Sequence, residues 1–218
     1  MPAVKATPAA AAIAACPRHI GGLRQSPARR LPQGAPSAPQ TFPAPLASAA
    51  FSVRRMALLV MKFGGTSVAT VERIKTVARH VKREVDAGNR VAVVVSAMSG
   101  ATNQLVAWVR ETSMLHDARE YDAVVASGEQ VTAGLLAIAL QSIGVQARSW
   151  QGWQIPIKTN AAHGAARMTD IPGRDLRARL DNGEVAVVTG FQGIGPDNRI
   201  TTLGRGGSDT SAVAVAAA

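Results

Sequence analysis

One cysteine, Cys16, in 218 residues leaves no intrachain disulfide and no thiolate zinc site. The four histidines fall at no metal-ligand spacing, and no Ser-His-Asp or Cys-His constellation is evident. Both phosphate-binding signatures with a fixed spacing, GxxxxGK[ST] and GxGxxG, are missing. No stretch reaches the length of an uncharged membrane helix, since "AAAAIAA" is too short and too weakly apolar. Aromatic residues make up only 4% of the chain, which weakens the case for a nucleic-acid binder despite a net charge of +10.

Acidic residues are absent from positions 1 to 55, which carry seven basic residues and nine of the twelve prolines. From Met56 onward 17 basic residues face 14 acidic ones, a balance of only +3. The excess charge therefore belongs to an Ala/Pro/Arg-rich segment with too few large apolar side chains to offset its ordering entropy, and disorder is expected there. Its composition fits an organelle transit peptide or, more simply, a translation start placed upstream of Met56. The rest reads as a soluble, cytoplasmic protein of a reducing compartment, with neither membrane nor nucleic acid as a partner.

From Met56 the pattern is that of an α/β chain. Ala57 to Phe63 is an apolar strand broken by Lys62, and Val71, Ile74, Val77, Val81 and Val85 repeat at the spacing of a buried helix face. Gly64 and Gly65 stand between them in a turn that Thr66, Ser67 or Thr70 could close as a helix cap. Free amides and the positive end of a helix dipole at such a turn favour an anion. "RVAVVVSAMSG" is a continuous apolar strand, typical of a parallel sheet covered on both faces. A helix over about Thr102 to Leu115 follows, then a long helical region over "YDAVVASGEQVTAGLLAIALQSIG" interrupted by Gly128, and the strand "VQARSW". Gln151 to Arg174 is irregular and fits a loop or small hairpin. "DLRARLDNG" is a short helix, "EVAVVTGFQGI" a strand entering a glycine loop, "RITTLGRGGSD" a strand and turn, and "TSAVAVAAA" the start of a helix. Alternating strands and helices predict a three-layer αβα sandwich around a mainly parallel sheet. The loops Lys62–Gly65, Ser96–Thr102, Gly190–Gly193 and Leu203–Asp209 all follow strands and are expected to line one crevice.

Those loops hold the chemistry. Lys62 is a compact cation suited to a transferring phosphoryl group, or simply to pairing with an acid such as Asp209. Arg205, held among three glycines, has a planar fork that suits carboxylate or phosphate. Ser208 and Asp209 at a helix start read first as a capping pair. Glu129 offers a negative charge for an ammonium, or is an ordinary solvated helix acid. His163 is read as structural or solvated.

Taken in order, "KFGGTS", "VVSAMSGATN", "SGE", "GFQG" and "TTLGRGGSDTSA" resemble the aspartate kinases of the amino-acid kinase superfamily, over essentially all of Met61 to Ala218. The resemblance implies transfer of the γ-phosphoryl group of Mg-ATP to the side-chain carboxylate of L-aspartate. The product would be 4-phospho-L-aspartate, the entry to lysine, threonine and methionine biosynthesis. ATP and Mg2+ would be the cofactors and a homodimer the assembly. It assigns Lys62 to the transferring group, Phe63, Gly64 and Gly65 to the phosphates, and Asp209 to orienting Lys62. Ser96, Thr102, Phe191 and Ser208 would stand near the substrate, Glu129 on its amino group and Arg205 on its α-carboxylate. No protein metal ligand is implied.

The family's adenine and ribose contacts and its C-terminal regulatory domains lie beyond the position matching Ala218. Residues 56 to 218 are thus expected to form the N-terminal, substrate-binding part of the kinase domain, incomplete at the C-terminal side. Two other readings stand beside it: another amino-acid kinase such as acetylglutamate kinase, and a non-catalytic fragment.

Overall fold

A computed structural model describes residues 57–218. The expected disorder of residues 1 to 55 lies outside them. The elements in chain order are β1 (Leu58–Phe63), α1 (Val71–Asp86), β2 (Arg90–Val95), α2 (Ala101–Thr112), α3 (Ala118–Val125), α4 (Ser127–Gln141) and β3 (Ala147–Trp150). They continue as β4 (Lys158–Thr159), β5 (Met168–Asp170), α5 (Arg174–Asp181), β6 (Val185–Thr189), β7 (Gln192–Ile194), β8 (Ile200–Thr202) and α6 (Gly207–Ala217).

Strands β1, β2, β6 and β3, in that spatial order, pair in parallel throughout. The alternation of side chains along a strand explains why β2 and β6 are apolar without interruption. Val91, Val93, Val95, Val185 and Val187 face one core with Ile74, Val77 and Val81 of α1 and Ala133, Leu136 and Leu140 of α4. Ala92, Val94, Ala186 and Val188 face the other, with Leu176 and Leu180 of α5 and Val215 of α6. The result is the expected three-layer αβα sandwich. A second sheet, ordered β5-β4-β7-β8, stands beside it and mixes parallel with antiparallel pairs. Its β4–β5 pair is the hairpin within Gln151 to Arg174.

Three details depart from the sequence expectation. Gln192 and Gly193 belong to β7, so only Gly190 and Phe191 remain as a loop. A Cβ at Gly193 would lie 2.5 Å from Thr159 Cγ2 and 2.6 Å from the Ile157 carbonyl oxygen, so β7 reaches its neighbour only with glycine there. The long helical region breaks at Ala126 rather than at Gly128. The buried Gln192 side chain donates to the Ala126 carbonyl at 2.9 Å and so satisfies the backbone at that break. Finally, Ala118–Gln141 is long and apolar enough to pass for a membrane span, contrary to the reading that no stretch does. More than half of its most apolar 18-residue stretch is buried inside the fold, because α4 is a central helix covering the sheet.

Leu136 is fully buried in this layer whereas Ile138, two residues on, is 62% exposed. Leu136→Ala is expected to cost about 2–5 kcal/mol in urea unfolding, and Ile138→Ala to stay within about 0.5 kcal/mol. Equal midpoint shifts for the two variants would contradict this assignment of the α4 faces.

Candidate functional site

Three adjacent strands, β1, β2 and β6, end on the same side of the sheet, and the chain turns sharply after each. A cavity of about 340 Å³ opens there. Its wall takes Gly65 from the loop after β1, Ser96 to Gly100 from the loop after β2, Thr102 from the first turn of α2, and Glu129 from α4. Phe191 from the loop after β6, and Gly204 to Asp209 before and within α6, complete it. Of the residues singled out in the sequence, Gly65, Ser96, Thr102, Glu129, Phe191, Arg205, Ser208 and Asp209 are thus gathered around one space.

Lys62 reaches this space through Asp209, its Nζ lying 2.8 Å from Asp209 Oδ1. This is the pairing with Asp209 that the sequence allowed, and 29% of the lysine side chain stays exposed, because β1 is an edge of its sheet among the described residues. An ion pair this open adds little stability, so its consequence is to aim the ammonium. Gly64 leaves room for that ammonium, since a Cβ would sit 3.3 Å from Nζ. A Cβ at Gly65 would stand 3.0 Å from the Ala97 carbonyl oxygen, so the loops after β1 and β2 pack closely.

Phe63 and Gly64 lie outside the cavity wall. The Phe63 ring packs on the α1/α4 core and its carbonyl accepts from the Ser96 N–H, so Phe63 itself presents no free group.

Helix dipoles are distributed differently from expectation. The chain makes a separate turn on the Gly64 carbonyl before α1, which starts only at Val71 and is capped by the Thr70 hydroxyl. The positive helix ends at the cavity are instead those of α2 and α6. Each begins at a left-handed glycine, Gly100 and Gly206, with no side-chain cap. Among the described residues the Thr102, Asn103 and Ser208 amides have no acceptor and are left for a ligand, whereas those of Ala101, Gly207 and Asp209 donate to the Met98, Gly204 and Gly206 carbonyls. Ser208 and Asp209 are therefore not the capping pair that their sequence position suggested; they lie inside the first turn of α6.

Glu129 is 3% exposed, so the picture of a solvated helix acid does not hold. Gly128 makes its burial possible: a Cβ there would be 2.8 Å from Ala97 Cβ, so α4 presses directly on the loop after β2. Glu129 Oε1 accepts from the Ala97 N–H at 2.9 Å, while Oε2 is buried without a partner. Burial pushes its carboxyl up to about 7, partly opposed by the Ala97 hydrogen bond. Across the cavity Arg205 is exposed, between Gly204 and Gly206, both in the left-handed region, and no hydrogen bond or ion pair holds its guanidinium among the described residues. Phe191 is also left-handed, at φ 67°, a strained conformation for a side chain of this size. It is locked by its N–H to Ser211 Oγ at 3.1 Å and by its carbonyl, which accepts from Leu203 N–H at 2.9 Å. Gly190 and Gly207 let this loop touch α6, where Cβ atoms would lie 2.8 Å from Ser208 and 3.0 Å from the Phe191 ring.

Sequence reasoning passed over Asp122, which is fully buried in α3 and bonded to His163, Gly164 and Thr202. Its signal was an aspartate seven residues before Glu129 on the apolar side of the same helical run. Of the two readings of His163, structural or solvated, the structure shows the first, with its ring nearly buried against Asp122.

A parallel αβα sandwich whose glycine loops gather an ammonium, a guanidinium and a buried carboxylate at its strand ends defines the class: the Amino acid kinase family matches residues 57–218, and the chain belongs to it. Within that family its relatives are aspartokinases. It is 51% identical over 163 residues to aspartokinase 2 of Bacillus subtilis and 53% identical over 163 residues to the aspartokinase of Pseudomonas aeruginosa. Each match covers 75% of this chain and 40% of the relative, so the chain spans about two fifths of the curated relatives it matches. Among solved structures, the aspartate kinase from Synechocystis superposes with a TM-score of 0.63 at 46% identity, over 75% of this chain and 26% of that one. The Escherichia coli aspartokinase III complex with aspartate and ADP gives 0.64 at 27% identity, over 74% and 46%.

A carboxyl raised toward 7 by burial binds more protons in the folded than in the unfolded chain between pH about 4.5 and 7. Its contribution to stability is therefore full below about 4.5 and is lost as pH rises through about 7, a span on the order of 3 kcal/mol. Glu129→Gln should lose this dependence and gain on the unsubstituted protein between pH 5 and pH 8. Parallel stability curves for the two proteins would refute the raised carboxyl.

Proposed function

We propose that this protein transfers the γ-phosphoryl group of ATP to the side-chain carboxylate of L-aspartate. The observation that carries the reading is the set of charges gathered at one cavity: a buried Glu129 carboxylate oxygen and the Arg205 guanidinium, neither with a partner among the described residues, and the Lys62 ammonium, which Asp209 ties to the cavity wall. A free amino acid answers the first two, with its α-ammonium on Glu129 and its α-carboxylate in the fork of Arg205. Its side-chain carboxylate is then left as the nucleophile. A carboxylate is nucleophilic at neutral pH without a general base, so positioning and charge neutralisation carry the reaction.

Lys62 is assigned to the charge developing on the transferring group, as the lysine best able to follow it from the end of β1. The amides of Gly64 and Gly65, which have no acceptor among the described residues, and the uncapped starts of α2 and α6 are assigned to the anionic oxygens. Ser96, Thr102, Phe191 and Ser208 shape the amino-acid side of the cavity. The ADP and aspartate of the aspartokinase III complex support this choice of substrates. Among the described residues no cluster of three or more His, Cys, Asp or Glu gathers to hold a metal. These residues offer no protein cage for Mg2+, which is assigned to the nucleotide phosphates, where it would neutralise charge. The unpartnered Glu129 oxygen also favours a free amino acid over an N-acetylated one, whose amide brings no positive charge. The homodimer and the cytoplasmic setting rest on the resemblance to aspartokinases.

Because Glu129 must be ionised to hold an ammonium, the KM for aspartate is expected to rise as pH falls below about 7. With aspartyl phosphate trapped as its hydroxamate, Arg205→Ala should chiefly raise the KM for aspartate and Lys62→Ala chiefly lower kcat. Equal losses in both parameters for both variants would remove the separate roles. Phosphorylation of N-acetylglutamate but not of aspartate would replace the substrate.

A further inference from the structure

The proposed reaction leaves one buried ionisable group without a role. Asp122, on α3, has no exposed surface, yet its carboxylate collects four donors from two segments far away in the chain. His163 Nδ1 lies 2.8 Å from Oδ2, the Gly164 N–H donates to both oxygens at 3.1 Å, and the Thr202 N–H donates to Oδ2 at 3.1 Å. The Thr202 hydroxyl donates to Oδ1 at 2.6 Å. Burying such a group gives weak stability compared with apolar packing, so its geometric consequence matters more.

That consequence falls on Arg205. Thr202 ends β8 three residues before it, and Thr202 also ties back through its carbonyl, which accepts from Ala166 N–H at 2.9 Å. Gly204 then rests on the second segment that Asp122 holds, since a Cβ there would lie 3.2 Å from the Gly164 carbonyl oxygen. Asp122 thus fixes the chain before Arg205 from two sides, while the guanidinium has no restraint of its own. Asp122 also precedes Glu129 by seven residues, two helical turns, along the nearly continuous run of α3 and α4. One helical run therefore bears both the proposed ammonium acceptor and the anchor of the loop bearing the proposed carboxylate ligand.

We propose that Asp122 is a positioning residue that sets the place of Arg205 relative to Glu129, and through it the affinity for the α-ammonium and α-carboxylate of a free amino acid. This rests on the aspartate-binding reading above.

Calorimetric titration of the full chain with L-aspartate tests it, using Thr202→Val, Thr202→Ser and Asp122→Asn, each also in an Arg205→Ala background. Thr202→Val keeps the backbone donor and loses the hydroxyl, and should weaken aspartate binding about tenfold, as expected for one buried charge-assisted hydrogen bond. Thr202→Ser restores the hydroxyl and should restore the affinity. In the Arg205→Ala background the Thr202→Val loss should disappear, which a merely structural contact would not cause. Asp122→Asn should weaken binding further, and should it fail to fold the threonine pair still decides. A folded Thr202→Val that binds as tightly as the unsubstituted protein, or a loss unchanged by Arg205→Ala, overturns the proposal. An unsubstituted chain that binds no aspartate at all overturns the functional reading and this one with it, a result separate from either.

Discussion

The contact between Gly128 and Ala97 is the constraint on which the site depends. With no side chain at Gly128, the first turn of α4 lies directly on the loop after β2, and Glu129 is carried out of solvent onto the Ala97 amide. A carboxylate buried with one satisfied oxygen and one unsatisfied oxygen is unfavourable in the empty fold. It becomes favourable when an ammonium arrives. The fold thus holds a local cost that binding relieves, and that cost exists only because a glycine permits a close approach.

The remaining charges are held by different means. Lys62 is aimed by a partly exposed ion pair, which costs little to rearrange when a phosphoryl group competes for the ammonium. Arg205 is held through its backbone, between left-handed glycines and behind the Asp122 network. The uncapped starts of α2 and α6 add fixed positive potential without adding a side chain to the cavity. Mobile charge on one side and fixed charge on the other suit a reaction in which the acceptor must stay still while the transferred group moves.

Much of this was legible in the sequence. The unbroken valines of β2 and β6 announced a sheet covered on both faces, and the 3.6-residue repeat of α1 announced a helix on one of them. Loops that each follow a strand announced one crevice, and three of the four stand at one end of the first sheet while the fourth follows β8 of the second. Other features had no sequence signal. The separate turn on the Gly64 carbonyl is one, although the Thr70 cap that follows it was among the three caps the sequence offered. The break at Ala126 rests on a hydrogen bond from Gln192, 66 residues away. The inward turn of Phe63, by contrast, was legible in the strand's own alternation, which a motif string ignores.

By itself the sequence determined the αβα class and the burial of the central strands, because side-chain periodicity and glycine placement are local properties of the chain; the members of the site it offered only through its resemblance to aspartate kinases. Tertiary structure alone decided the state of each group in the site. It buried Glu129, left Lys62 half open, freed Arg205 of partners and gave Asp122 its four donors, since solvent exposure and hydrogen-bond partners come from segments tens of residues apart. Those contacts turn a shared list of residues into a cavity of defined charge.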